Sequence, residues 1–307
     1  MSEEINDRLE RIGSGMIYDI VAKGGHDAYE KLVLKIPTQL NDVMRRGMKL
    51  ELPMMEWAAE DNGWSFRKAE TVRWEKDGVP YRDTPDFWIQ TNGTEILAEV
   101  KTHNMWMFED YGDEFSGDVP DRVFCQAQFH CAANDTDECR VISSFGGEKP
   151  LVFIVQRDPV VWKNIHKACV AFWENHVKTK TPPPVDGSAE CTSLLNRTPR
   201  ANESLLEPIA SDIETHKKLE KVKGQIKSLE AEKDELCNYF KDRIGENLGI
   251  ANDALRYTWK ANKPSTVIDY KGLVNELSPD PELLAKYTKT EEGNRVLRNL
   301  KPKKGKK

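Results

Sequence analysis

Apolar residues recur at helical spacing through Ile17, Tyr18 and Val21, and again through Tyr29, Leu32 and Val33. The pattern predicts a helical stretch over Arg11–Lys35, broken at Gly24-Gly25. Pro37 suits the first turn of a second helix, whose apolar positions run through Leu40, Val43, Met44, Gly47, Leu50 and Met54 to Trp57 and Ala58. Asn62-Gly63 supplies its stop. Short apolar runs at Thr71–Glu75, Phe87–Ile89, Ile96–Val100 and Leu151–Val155 read as strands. Between the last two, Val119–Ala133 carries Val123, Phe124, Ala127, Phe129 and Ala132 at helical spacing, and Pro159–Val177 forms another such segment. The order of elements predicts an α/β (α+β) core, one mixed central sheet flanked by helices.

Beyond this region the pattern changes. Thr179–Arg200 is rich in Pro, Gly, Ser and Thr and reads as a linker or surface arm. Asp212–Asn247 predicts a long helix with Leu219, Val222, Ile226, Leu229, Leu236 and Phe240 along one seam, interrupted by Lys233. A short coiled coil and a helix laid on the core both fit that seam. Leu255–Trp259 and Thr266–Ile268 are expected to form a small strand pair. After Leu277 the chain is polar, and Lys301–Lys307 is a basic tail expected to be disordered.

Composition narrows the class. The 307 residues are 38% hydrophobic and 31% charged, enough for a substantial core with a polar surface. No apolar run approaches the roughly 20 residues of a membrane span, and the acidic start gives no expectation of a secretory signal. A cytoplasmic location follows as the expectation. Six cysteines, at 125, 131, 139, 169, 191 and 237, include no Cys-x-x-Cys pair, so they read as free thiols rather than a zinc ribbon. The net charge of −6 excludes a general nucleic-acid coater, but not a local basic groove.

The chemistry concentrates in one hairpin. Asn92-Gly93 between the runs Phe87–Ile89 and Ile96–Ala98 is a strong turn signal, and it would bring Asp86 and Glu99 together at the strand ends. Clustered carboxylates suit a hard cation such as Mg²⁺. Lys101 lies two residues past Glu99 and so shares its strand face. Acids with an adjacent lysine fit metal-assisted phosphodiester hydrolysis. Pro-Asp also occurs at Pro120-Asp121 and Pro279-Asp280, but only Pro85-Asp86 is followed by an acid-x-Lys triplet. An ordinary hairpin with solvated charges remains open on the triplet alone.

Further segments stand in order around it: Arg46-Gly-Met-Lys-Leu-Glu51 before, then Gln126-Ala-Gln128, Phe172-Trp-Glu-Asn-His-Val177, Pro182–Ser188 and Tyr257-Thr-Trp259 after. Jointly, over about residues 8–260, this set resembles the YqaJ-type viral recombinases, relatives of the phage lambda exonuclease within the PD-(D/E)xK nuclease superfamily. The resemblance implies a PD-(D/E)xK restriction-endonuclease-like core over residues 1–178 and a Pro/Ser-rich arm over 179–210. A long charged helix over 211–248, a strand pair over 249–275 and a polar region over 276–307 complete the expected division. It implies that Asp86, Glu99 and the Val100 carbonyl bind metal, with Glu51 as a helix-borne acid holding a metal or its water. Lys101 would position or activate the attacking water, and Gln126 would be the active-site glutamine, with Gln128 beside it. Arg11 and Ser14 are candidates for DNA contact, although a simple helix start at Ser14 also fits.

The resemblance further implies Mg²⁺, with Mn²⁺ as an alternative, and double-stranded DNA ends as substrate, degraded 5′→3′. It implies a phage single-strand annealing protein as partner and a homo-oligomer such as a trimer. An endonuclease on the same fold, or a DNA-end-binding protein without catalysis, also remains open. The acidic stretch Phe108–Asp118 reads as a solvated loop or a flap near the site. His103, His130 and His166 show no metal-ligand spacing and read as packing or surface residues. Trp57, Trp64, Trp74 and Trp88 read as packing residues rather than base-stacking platforms.

Overall fold

The computed structural model describes residues 3–197, 204–261 and 269–288. Two compact units divide the chain, Met1–Pro199 and Arg200–Lys307. The first begins with helix α1 (Glu3–Arg8), the short strand β1 (Ile12–Gly13) and a 3-10 turn at Ser14–Met16. Helices α2 (Ile17–Ala22), α3 (His26–Leu32) and α4 (Asp42–Asn62) follow. The break between α2 and α3 falls at Gly24-Gly25, both with positive φ, which glycine adopts without steric cost. Helix α4 starts five residues later than Pro37 suggested. Asn41 caps it, its Oδ1 accepting the Met44 N–H at 2.9 Å, a contact worth about 1 kcal/mol. Gly63, at φ +66°, ends it as expected.

Strands β2 (Ser65–Lys68), β3 (Val72–Lys76), β4 (Val79–Asp83), β5 (Phe87–Thr91) and β6 (Thr94–His103) come next. A 3-10 segment, Met105–Asp110, then leads to α5 (Asp121–Asn134), β7 (Glu138–Phe145), β8 (Leu151–Gln156), α6 (Pro159–Phe172), a π-helical turn at Trp173–Lys178 and α7 (Ala189–Arg197). The main sheet has the order β2-β5-β6-β7-β8, antiparallel except for the β6–β7 pair. Parallel neighbours require a crossover, and α5 supplies it. A second sheet, β1-β4-β3, packs beside it. The mixed sheet flanked by helices is the architecture the pattern predicts. Asn92 and Gly93, at φ +51° and +77°, form the two-residue turn joining β5 to β6.

Alternation along β6 decides which side chains face which helix. Ala98 and Val100 pack with Met54, Met55 and Ala58 of α4. Leu97 faces the other way, with Val123 and Ala127 of α5 and Val141 and Phe153 of β7 and β8. Glu99 and Lys101 share the α5 side. A third cluster joins α2, α3, α5 and α6 to the small sheet through Ile17, Tyr29, Tyr81, Phe129 and Ile165. Trp74 stacks on Tyr81 at 5.0 Å within it, whereas Trp57 is 39% exposed.

Two expected loops are anchored. Phe115 donates its N–H to Val152 O at 2.7 Å, and Ile154 donates to Ser116 O at 2.8 Å. The acidic segment therefore lies along the outer edge of β8 and satisfies an edge that would otherwise be open to pairing. The Pro-rich arm is tied to α3 by Tyr29 Oη donating to Lys180 O at 2.8 Å and, through α7, by the Arg197–Glu30 ion pair at 2.8 Å.

The second unit contains α8 (Ala210–Ile244), β9 (Gly249–Ala251), β10 (Arg256–Thr258), α9 (Tyr270–Leu277) and α10 (Pro281–Tyr287). The partner of Arg256–Thr258 is Gly249–Ala251, while the expected Thr266–Ile268 lies outside the described residues, as does the basic tail. Phe240 of α8 stacks on Tyr257 at 4.1 Å. Leu219, Val222, Ile226, Leu229 and Leu236 remain 42–63% exposed along the helix. Among the described residues, no helix is long and apolar enough to cross a membrane.

Candidate active site

The β5–β6 register pairs Phe87 with Ala98, which sets Asp86 opposite Glu99 where the two sheets meet. The Val100 N–H donates to Asp86 Oδ2 at 2.8 Å and fixes that carboxylate. Glu99 is 4% exposed. Its Oε1 accepts from the Lys101 ammonium and, at 2.6 Å, from the Gln126 amide of α5. Asp86, Glu99, Val100, Lys101 and Gln126 are thus brought together by one hairpin and one crossover helix.

A relay that sequence reading missed lies behind Glu99. His130 is fully buried, with Nε2 3.1 Å from Glu99 Oε2 and Nδ1 2.8 Å from Asp83 Oδ1. Asn134 donates to Asp83 Oδ2 at 3.0 Å. Gln126, His130 and Asn134 are spaced four apart, so they line one face of α5. That spacing, with Asp83 three residues before Asp86, was the available signal. A packing role for His130 understates it, because it bridges two buried acids.

The electrostatics follow from burial and crowding. Burial, then the charges of Glu99 and Glu51, push the Asp86 carboxyl up to about 8, against Lys101 and the Val100 N–H. Burial also opposes ionisation of Glu99, but Lys101 and His130 outweigh it and hold this carboxyl at about 2. For His130 burial favours the neutral ring, yet Asp83 and Glu99 raise it to about 10. Lys101 is raised despite its burial by Glu99 and Asp86, so it stands as an ammonium. It can position water by charge and hydrogen bonding, but it has no free pair with which to take a proton.

Glu51 projects from α4 into an ion pair with Lys68, whose ammonium also lies 4.4 Å above the Phe87 ring. Asp86, Glu99 and Glu51 do not bring three side-chain oxygens within 4.8 Å of one another. The groups that could hold a cation are therefore the two acids at the sheet junction and the neighbouring carbonyl, with the Glu51 charge acting on Asp86. That set suits a divalent hard cation. All donors are oxygen, and the crowded negative charge at Asp86 is what such an ion relieves.

The other expected residues fall elsewhere. Gln128 is a correction: it is fully buried, donating to Gln156 O at 2.7 Å and accepting the Asp158 N–H at 2.8 Å. It ties α5 to the turn entering α6 and has no surface to offer DNA. Gln128→Leu is expected to destabilise the fold by about 1–2 kcal/mol, read by urea denaturation, because two part-buried backbone groups lose their partners. Arg11 is paired with Asp7 at 3.0 Å, and Asp7 also receives Arg73 and Arg82, each at 2.9 Å. Ser14 begins the 3-10 turn and is half-buried. His103 bonds Tyr111 at 2.7 Å and stacks on Phe145, and burial and Lys101 push its ring down to about 4.

No family model and no curated protein matches this chain. The chain is similar to the solved structure of an alkaline exonuclease from Laribacter hongkongensis, with 18% identity and a TM-score of 0.48 over 58% of this chain and 94% of that one. It is also similar to that of a phage-related exonuclease from Haemophilus somnus 129PT, with 12% identity and a TM-score of 0.41 over 58% of this chain and all of the other.

What the site can do follows from its own geometry. A cation held at Asp86 would require that carboxyl ionised, so its binding would release a proton at pH below about 8. The apparent affinity for such a cation would then fall by up to about tenfold per pH unit from pH 8 to pH 6, levelling off above 8. Calorimetry at pH 7 in buffers of different ionisation heat should report close to one proton released. Heats independent of buffer would contradict this charge state for Asp86.

Proposed function

We propose that this chain is a Mg²⁺-dependent deoxyribonuclease that hydrolyses duplex DNA from its ends, with Mn²⁺ as an alternative ion. The observation that carries the reading is the convergence of Asp86, Glu99 and Lys101 at one sheet junction, closed by Gln126. A cation held by Asp86, Glu99 and the Val100 carbonyl would supply positive charge to the phosphate oxygens as negative charge develops on them. Lys101 adds a fixed positive charge beside the acids and orients a water toward phosphorus. Gln126 holds Glu99 so that its carboxylate keeps one orientation. The His130–Asp83–Asn134 relay holds the rear of Glu99 and keeps it ionised.

The family resemblance of the motifs supports 5′→3′ polarity, a phage single-strand annealing partner, a homo-oligomer such as a trimer, and action in the host cytoplasm. Linear duplexes labelled at either the 5′ or the 3′ end, beside covalently closed circles, test this reading. Loss of linear DNA alone with early release of the 5′ label is the expected result. Cleavage of the closed circle would mean an endonuclease, and early release of the 3′ label would reverse the polarity.

A further inference from the structure

A second cluster of ligand-type side chains lies away from the acids, where α7 meets the turn between α2 and α3. His26, Asp186 and Cys191 each offer an atom within 4.8 Å of the other two. His26 is 1% exposed, and neither ring nitrogen has a hydrogen-bond partner. A buried imidazole left in that state has given up its water without gaining a partner. Its Nδ1 is 3.7 Å from Asp186 Oδ2, too long for a hydrogen bond. Two ligands about 2.0 Å from a tetrahedral ion stand roughly 3.3 Å apart, close to that spacing.

The surroundings hold the three groups in place. Ser188 Oγ donates to Asp186 Oδ1 at 2.6 Å and accepts the Cys191 N–H at 3.0 Å, so one hydroxyl orients two of the three groups. This leaves Asp186 Oδ2 turned toward His26, as an outer partner does for a metal-bound carboxylate. Gly24 lies against the pair. A Cβ there would come within 2.8 Å of Asp186 Oδ2 and 3.3 Å of His26 Nδ1. Gly25 admits no Cβ either, because Phe172 would stand 2.4 Å from it. The double-glycine turn thus presents His26 to the arm.

We infer that His26, Asp186 and Cys191 bind a borderline-soft divalent ion of the Zn²⁺ class, fastening the Pro-rich arm and α7 to the α2–α3 turn. Sulfur, nitrogen and oxygen donors in one set favour Zn²⁺ over Mg²⁺. The metal–sulfur bond forms as the thiol proton leaves to water, and three protein donors leave a fourth position for water.

Metal-stripped full-length protein titrated with Co²⁺ tests this. The expected result is a thiolate-to-cobalt charge-transfer band that saturates at one equivalent and is lost on addition of Zn²⁺. Cys191→Ser abolishes the band, while Cys125→Ser and Cys237→Ser keep it. Asp186→Asn, nearly isosteric and at an exposed position, weakens Zn²⁺ binding by more than the roughly 10–100-fold that loss of an outer partner costs. It also removes the Zn²⁺-induced rise in melting temperature. Carboxylates at the nuclease site give no thiolate band, so the two sites are distinguished. Absence of the band, or its survival in Cys191→Ser, would overturn the inference.

Discussion

Lys101→Ala is expected to lower the rate of DNA hydrolysis by about 10²–10³-fold, the loss typical of removing one principal electrostatic element from an active site. Its ammonium contacts Glu99, and the charges of Glu99 and Asp86 hold it protonated. No other described basic side chain is bonded to Glu99 or Asp86 except His130, which stands behind Glu99 with its Nδ1 on Asp83. The effect should fall on turnover under saturating DNA, with binding in Ca²⁺ little changed, because one charge among many phosphate contacts contributes little to affinity. Single-turnover kinetics on a linear duplex separates the two. Near-normal turnover in the variant would remove Lys101 from the chemistry.

His130→Ala is expected to destabilise the fold by about 3–5 kcal/mol, because it leaves Asp83 and Glu99 buried with their shared cation gone. The pH dependence has a definite sign. His130 is raised from its ordinary 6.5 to about 10, so its contribution is full below 6.5 and is lost as pH rises through about 10. Glu99 is lowered from 4.5 to about 2, so its contribution is full above 4.5 and is lost as pH falls through about 2. Denaturant unfolding of wild type and variant should therefore differ most between pH 4.5 and 6.5 and converge toward pH 10. A difference below about 1 kcal/mol at pH 6 would mean the relay does not hold a charged imidazole.

The sequence was most legible where one local rule sufficed. The Asn92-Gly93 turn and its two strands follow from positive-φ chemistry and alternation, and they place Asp86 opposite Glu99. Helix α5 follows from its apolar spacing, and it carries Gln126 to within hydrogen-bond distance of Glu99. Strand β7 was missed although it lies inside the sheet, because Ser143 and Ser144 interrupt its apolar run and only the neighbouring strands show that both are buried. His130 was read as a packing residue because its partners, Asp83 and Glu99, are 47 and 31 positions away, and only the fold brings them together. Gln128 failed for the opposite reason. Two residues past Gln126 on a helix it points elsewhere, and the backbone of Gln156 and Asp158 occupies both ends of its amide.

Asp86 and Glu99, with Lys101 beside them, would form a cation-dependent phosphodiester hydrolysis centre. The most direct test is hydrolysis of a linear duplex in Mg²⁺ by the wild-type chain and by Asp86→Asn, with EDTA as the metal-free control. Asp86→Asn keeps an acceptor for the Val100 N–H and removes the charge, so folding, followed by circular dichroism, should be preserved. Cleavage by the wild type in Mg²⁺, none in EDTA, and a loss of at least about 10²-fold in the variant are expected. Equal cleavage by both proteins, or cleavage that persists in EDTA, would contradict that assignment.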